Sequence, residues 1–316
     1  MQTVLVAGGA GFIGSHLCRE LLKENFRVIC LDNLITGEKE NIKDFLTNNN
    51  FSFKEVDITK DFFLEEKIHY IFDLASPASP NAKSSRSYIA FPIETLLVNS
   101  IGTYNLLRIA KENKAKFLYV SSSEIYGDPE VNPQPETYHG YVNPNGIRSV
   151  YDEGKRFGES MTMAFFRKYN LDIRIIRIFN TFGPIMRADD GRVVSNFINQ
   201  ALKNEPLTIY GTGKQTRSFC YIDDMVLGLK KAMFSENSNG EVFNLGNPDE
   251  RTVQEMAKLI KELTNSESKI EFESLPEDDP KIRKPDIGKA KRLLNWEPKV
   301  SIEMGIEKTI QYFKKL

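Results

Sequence analysis

A doubly wound parallel α/β sheet with a smaller C-terminal α/β portion is predicted by three observations. Six short β-branched or apolar runs alternate with longer helical patterns through the first two-thirds of the chain. Several of these runs are nearly continuous in apolar residues, as parallel strands covered on both faces must be. The loop after the first run is rich in glycine. Strand–helix alternation of this kind builds βαβ units.

In chain order the expected strands are 3–7, 27–31, 51–56, 70–74, 116–120 and 172–177, and the clearest helical stretches are 13–24, 92–113 and 150–169. Asn48-Asn49-Asn50 reads as a polar turn before the third strand. From about Phe182 the texture changes, with Gly, Pro and Asp clustered at 183–191 and a short strand pattern near 207–210. A strand–helix pair at 219–245 is positioned to rejoin the main sheet. One domain is therefore expected over 1–180, joined by 218–245, and a second over 181–217 and 246–316.

Composition fits that organisation. At roughly 150 residues per domain, 316 residues suit two units. A hydrophobic fraction of 41% and a charged fraction of 27% describe an ordinary globular chain able to bury a sizeable core. Forty-three acids against forty-two bases leave a net charge of −1, so bulk charge draws in neither nucleic acid nor an anionic membrane. The three cysteines (Cys18, Cys30, Cys220) and three histidines (His16, His69, His139) share no ligand spacing, so neither a disulfide framework nor a metal site is expected. No apolar run approaches the roughly 18 residues of a membrane span. The glycine motif begins at Gly8 and leaves no room ahead of it for a signal peptide, so a cytoplasmic protein is expected.

Gly8-Gly9-Ala10-Gly11-Phe12-Ile13-Gly14 lies between the first strand and the first helix. Gly8 permits a tight turn, Gly11 lets backbone approach a pyrophosphate, and Gly14 allows close helix packing. The phosphates then rest on the positive helix N-terminus. A glycine-rich turn alone is weak evidence, but Asp32 follows the second strand, where it would accept bonds from ribose hydroxyls and repel a 2′-phosphate. NAD is the expected cofactor.

Tyr151-Asp152-Glu153-Gly154-Lys155 places a phenol and an ammonium one turn apart on one helix face. The ammonium is expected to lower the phenol's pKa and make it a general base; a merely solvated helix face is the alternative. Tyr210 and Lys214 share the spacing, but Gly211-Thr212-Gly213 between them indicates a turn. Ser121 to Gly127 follows the fifth strand, at the sheet edge where ligands bind in open α/β folds. A serine there can bond a sugar hydroxyl and Glu124 adds a second acid/base; the alternative is a serine turn with a surface glutamate. Arg187, Arg192, Arg217 and Arg283 are candidate anion contacts, and Tyr210 with Arg217 would stack a base and hold a diphosphate.

These motifs make the chain resemble the extended short-chain dehydrogenase/reductase superfamily, whose NAD-binding domain is a Rossmann fold, and within it the UDP-glucuronate decarboxylases. The resemblance runs nearly end to end. It is densest at Leu74 to Pro80, Ser122 to Val131, Tyr151 to Arg156, Arg177 to Pro184, Asp190 to Phe197 and Arg283 to Asp286. It implies that Tyr151 and Lys155 are the catalytic pair and that Ser122 is the active-site hydroxyl, usually a threonine. It also implies that Ser123, Glu124 and Arg283 serve the decarboxylation. For NAD it implies contacts from Phe12, Ile13, Asn33, Asp57 and Ile58 beside the glycines and Asp32. Leu74, Ser76, Asn99, Thr181 and Arg192 extend that set. Asn180, Val194, Tyr210, Gln215 and Arg217 fall where the superfamily grips the nucleotide-sugar.

The resemblance also implies that helices near 92–113 and 150–169 pair two copies in a homodimer. Related 4,6-dehydratases carry Asp-Glu at the Ser123-Glu124 position, and C4 epimerases generally lack the glutamate. Both activities, and a non-catalytic NAD-binding protein, remain alternatives. The division of labour between Glu124 and Arg283 is open. Three positions depart from the pattern: Asp73 stands at a usual histidine, 81–91 is longer, and Leu97 replaces a commonly basic residue.

Overall fold

The computed structural model describes residues 1–275, 280 and 282–316. The first half runs β1 (Thr3–Ala7), α1 (Phe12–Lys23), β2 (Arg27–Asp32), β3 (Phe51–Glu55), β4 (Tyr70–Asp73), α2 (Pro92–Leu97), α3 (Thr103–Asn113) and β5 (Lys116–Ser122). The middle comprises α4 (Ser149–Tyr169), β6 (Ile173–Ile178), β7 (Thr181–Phe182), α5 (Val193–Leu202), β8 (Leu207–Tyr210), β9 (Thr216–Ser218) and β10 (Cys220–Tyr221). It closes with α6 (Ile222–Phe234), β11 (Glu241–Leu245), β12 (Glu250–Thr252), α7 (Val253–Thr264), β13 (Ile270–Glu273), α8 (Gly288–Leu294) and α9 (Ile302–Phe313).

Seven strands form one parallel sheet in the order β3-β2-β1-β4-β5-β6-β11. The apolar runs are explained by burial on both faces. Along β1, Val4 and Val6 pack with Leu17 and Leu21 of α1 and Val226 and Leu229 of α6. Leu5 and Ala7 point the other way, onto Leu106 and Ala110 of α3 and Phe165 of α4. All six runs read from the sequence are strands of this sheet. The 219–245 segment differs from the expectation. Among the described residues its first strand, β10, pairs with β7 alone, and β11, after α6, joins the main sheet beside β6. A parallel partner needs a helical crossover, and α6 supplies it.

Two local features set up the cleft. Chain order reverses between β1 and β4, and the connections from their C-terminal ends diverge there, leaving a crevice of the kind that binds ligands. The second is a π-helical stretch, Val98–Gly102, that joins α2 to α3 and turns Asn99 inward. The remaining strands form two-stranded pairs, β8 with β13 and β9 with β12, which carry the opposite wall. Among the described residues no helix is long and apolar enough to cross a membrane.

Candidate active site

A cavity of about 980 Å³ opens at the C-terminal ends of β1, β4, β5 and β6. Its floor is the turn from β1 into α1. Gly8 has a φ of +77°, and a Cβ there would lie 2.9 Å from the Ala75 backbone nitrogen. A Cβ on Gly14 would lie 2.1 Å from the Gly8 carbonyl oxygen, so the helix reaches the strand this closely only without a side chain. Gly11 caps α1 without a side chain, and the first turn carries no acidic residue. Gly11, Phe12, Ile13 and Gly14 all line the cavity, so an uncompensated helix N-terminus faces it, as a pyrophosphate requires.

Asp32 ends β2 on the same floor. Its Oδ2 accepts from the Ala10 N–H at 3.0 Å and its Oδ1 from the Leu34 N–H at 2.9 Å. Burial pushes this carboxyl up, and the two backbone bonds pull it back. Asn33, Asp57 and Ile58 continue the rim, with Asp57 Oδ1 fixed by the Thr59 N–H and hydroxyl at 2.9 and 2.7 Å. The residues at this end suit a dinucleotide bound across the switch point.

At the end of β5, Ser122 Oγ accepts from the Glu124 N–H at 3.1 Å and caps the 3₁₀ turn Ser123–Tyr126. Tyr151 and Lys155 project toward it from the first turns of α4, both nearly fully buried. The Lys155 ammonium donates to the Val120 carbonyl at 2.9 Å and stands 5.8 Å from the centre of the Tyr151 ring. The expectation of a lowered phenol pKa is not met. Burial pushes Tyr151 well up, and its hydrogen bond with Ser122 offsets only part of that. In a dry pocket the cost of desolvating a phenolate outweighs a neighbouring cation that is already turned to a carbonyl. Burial also lowers Lys155 to about 8, opposed first by Asp73 and then by Glu159. Asp73 is itself raised to about 6 by burial, against Lys155 and a 2.9 Å bond from the Thr103 hydroxyl. The departure at Asp73 thus places a buried carboxyl beside Lys155.

Glu124 is held from two sides. Arg148, at the N-cap of α4, donates to Oε2 at 2.5 Å, and Arg283 donates to Oε1 at 3.0 Å. Arg283 also donates to the Gly127 carbonyl at 3.0 Å and is 3% exposed. Burial acts to raise Glu124, but Arg148 and then Arg283 more than offset it and hold the carboxyl at about 2. Asp152, beside Tyr151, is pushed the other way, to about 8, by burial and then by Glu124.

The remaining expected residues divide between the two walls, those for the nucleotide-sugar falling on the opposite one. Asn180, Val194, Tyr210, Gln215 and Arg217 line the cavity, and Gln215 Nε2 donates to the Tyr210 carbonyl at 2.6 Å. Thr181 and Arg192 line it too, with Arg192 Nε 2.6 Å from Asp190 Oδ2. Leu74, Ser76 and Ser123 complete the near wall, and Leu97 also lines the cleft. Asn99 does not. Fully buried behind the wall, it donates to Ser76 Oγ at 2.9 Å and accepts from the Tyr119 hydroxyl at 3.1 Å. Arg187 is turned to Glu38 and Asp189. The Tyr210–Lys214 pair spans a turn with positive φ at Gly211 and Gly213, and Lys214 lies off the cavity.

Four contacts were not read from the sequence. Tyr88, in the long 81–91 loop, stacks on Tyr151 with centroids 5.0 Å apart and planes 9° off parallel. The same region crosses the cleft mouth through Ser79 Oγ, which donates to the Asp190 carbonyl at 2.5 Å, and the Arg86–Glu38 pair at 3.1 Å. Arg148 lies three residues before Tyr151, a helical i, i+3 spacing that was the available signal.

The NAD dependent epimerase/dehydratase family matches residues 4–246. UDP-glucuronic acid decarboxylase 1 of Xenopus tropicalis is 49% identical over 99% of this chain and 72% of its own. UDP-glucuronic acid decarboxylase 4 of Arabidopsis thaliana is 50% identical over 99% of this chain and 68% of its own. The crystal structure of UDP-glucuronic acid 4-epimerase from Bacillus cereus, with UDP-glucuronic acid and NAD, superposes with a TM-score of 0.87 at 29% identity, covering 99% of each chain. That of UDP-glucose 4-epimerase from Thermotoga maritima, with UDP-glucose, gives 0.88 at 32% identity, again over 99% of each. With a dinucleotide cradle, a buried Tyr151–Lys155 pair and matches of this extent, the chain belongs to the NAD dependent epimerase/dehydratase family.

Proposed function

We propose that this protein converts UDP-glucuronate to UDP-xylose and CO₂, with NAD as a recycled cofactor. The observation that carries the reading is Glu124, clamped by Arg148 and Arg283 one short turn beyond Ser122 and beside Tyr151. Oxidation at C4 needs none of these three charges, so their place beside the catalytic pair points to chemistry on a further part of the sugar. Relatives named as UDP-glucuronic acid decarboxylases align over almost the whole chain and support it.

A glucuronate carboxylate cannot leave a saturated ring as CO₂, because the carbanion left behind has nowhere to delocalise. When bound, NAD supplies a hydride acceptor at C4 that is restored by the end of the cycle. Tyr151 takes the C4 hydroxyl proton, with Ser122 aligning that hydroxyl and Lys155 holding positive charge beneath the phenol. A ketone at C4 lies β to the carboxylate, so CO₂ loss then leaves an enolate. Protonation at C5 and reduction at C4 give the pentose. Asn180, Tyr210, Gln215 and Arg217 hold the uridine diphosphate, and Gly8, Gly11, Gly14 and Asp32 hold NAD, the first unit (1–180 with 218–245) binding cofactor and the second (181–217 with 246–316) substrate. Incubating purified protein with UDP-glucuronate and weighing the nucleotide-sugar product tests this. A product lighter by CO₂ is expected; an unchanged mass with inverted C4 indicates epimerisation instead.

The same reading includes a homodimer. Ile93, Leu96, Ile101 and Tyr104 around α2 and α3, with Phe157 of α4, leave one apolar face exposed, and a second copy of this face would cover it. Sedimentation at roughly twice the 36.1 kDa chain mass is expected, and a monomer at micromolar concentration refutes it. Three buried, unpaired cysteines suit the reducing cytoplasm in which we place the enzyme.

A further inference from the structure

We propose that Arg148 is a positioning residue that, with Arg283, holds one oxygen each of Glu124 and thereby fixes this carboxylate as a hydrogen-bond acceptor for the sugar, not as the acid that protonates C5. The proposal rests on the decarboxylase reading and deepens it.

Three features carry it. The two guanidiniums take different oxygens, at 2.5 and 3.0 Å, so rotation of the carboxylate is blocked from both sides. Both arginines are buried, Arg148 at 8% and Arg283 at 3% exposure, and a buried charge-assisted pair is short and directional. Each is also held in place: Arg148 is the N-cap residue of α4, one turn before Tyr151, and Arg283 donates to the Gly127 carbonyl at the end of the turn that carries Glu124. Arg148 therefore couples the helix that carries the catalytic tyrosine to the turn that carries Glu124. A clamp of this form keeps Glu124 ionised throughout the working pH range, and an ionised carboxylate has no proton to give. Arg217, Asp152, Tyr88, Tyr151 and Arg192 also face Glu124 electrostatically. Of these, Arg217 supports the anion as the two clamping arginines do, and Asp152 opposes it.

The sign of the effect follows. Removing one guanidinium leaves burial less opposed, so Glu124 takes up a proton at higher pH than in the wild type. If the anion is the working form, the rate then falls as pH drops through that higher value, where the wild-type rate is still level.

The test uses the full-length enzyme with Arg148→Gln and Arg148→Lys, after both are checked for NAD binding and melting temperature. Two measurements are made: kcat and KM for UDP-glucuronate from pH 5 to 9, and carboxyl titration of ¹³C-labelled glutamate by NMR, with the Glu124 signal assigned by Glu124→Gln. Arg148→Gln is expected to lower kcat by about 10²-fold, the cost of misplacing a group by an ångström, with KM nearly unchanged. It should also introduce an acid limb and raise the Glu124 titration. Arg148→Lys should restore the pH profile in large part. A Glu124 titration identical in Arg148→Gln and wild type overturns the proposal. So does a raised KM at unchanged kcat in Arg148→Lys, which would mean that Arg148 binds the substrate itself. Should wild-type enzyme release no CO₂, the decarboxylase reading fails, and the titration alone still decides whether the clamp exists.

Discussion

Tyr151→Phe is expected to cut conversion of UDP-glucuronate by about 10²- to 10⁴-fold, the usual loss for a positioned general base, while NAD still binds. Within the Ser122–Tyr151–Lys155 set the phenolate of Tyr151 is the group that can accept the C4 proton, since the Lys155 ammonium has no free electron pair and the aliphatic Ser122 hydroxyl is far less acidic than a phenol. Stacking of Tyr88 on the ring survives the substitution, so the pocket keeps its shape. The decisive measurement is single-turnover NADH absorbance with substrate saturating. Tyr210→Phe serves as the control, because Tyr210 lies on the opposite wall at the end of β8. Equal loss in both would assign the base to the wrong tyrosine. A pH dependence accompanies this prediction. Lys155 loses its proton above about 8, and with it the charge that favours the phenolate, so wild-type C4 oxidation should slow as pH rises through that value. A rate that keeps rising to pH 10 would mean that Lys155 stays charged or plays no part.

The second large effect separates the two halves of the reaction. Glu124→Gln and Arg283→Ala should each lower UDP-xylose formation by at least about 10²-fold, while bound NAD⁺ is still reduced by UDP-glucuronate in a single turnover. Neither side chain is required to make the C4 ketone. An interaction made mainly in the later transition state lowers turnover more than affinity. Removing one partner of a buried ion pair also costs roughly 3–5 kcal/mol of stability, so the assay belongs well below the melting temperature of each variant. NADH absorbance and CO₂ release followed in one mixing experiment give the answer. Wild-type CO₂ release in both variants would remove Glu124 and Arg283 from the decarboxylation and favour epimerase chemistry.

Much of this architecture was legible because it is encoded locally. Runs such as β1 and β2 read as strands because they are buried on both faces of the sheet and carry no polar alternation, whereas the edge strand β3 alternates. Gly8 and Gly14 announced the β1–α1 turn because the contacts that forbid a side chain there, to Ala75 and to Gly8 itself, leave only glycine possible. Tyr151 and Lys155 share a face because α4 is regular, and Tyr210 and Lys214 were set aside because two glycines stand between them.

What only tertiary structure decided depends on burial and on pairing across long separations. The direction of the Tyr151 shift reversed because exclusion of water sets it, and a motif carries no measure of water. Asp73 is visible as an unusual residue, but its partnership with Lys155 exists only once α4 packs over β5 and β6. The resemblance puts Asn99 among the cofactor contacts, whereas the π-helical stretch turns it inward to support Ser76 and Tyr119. Arg148, Glu124 and Arg283 come from a helix start, the turn after a strand and the C-terminal tail, with Glu124 and Arg283 159 positions apart. By itself the sequence determined the strands, the glycine turn and the chemical types at the cleft, since each follows from near neighbours in the chain. The fold alone decided which charges meet and how dry their surroundings are, because both are properties of distant segments packed together.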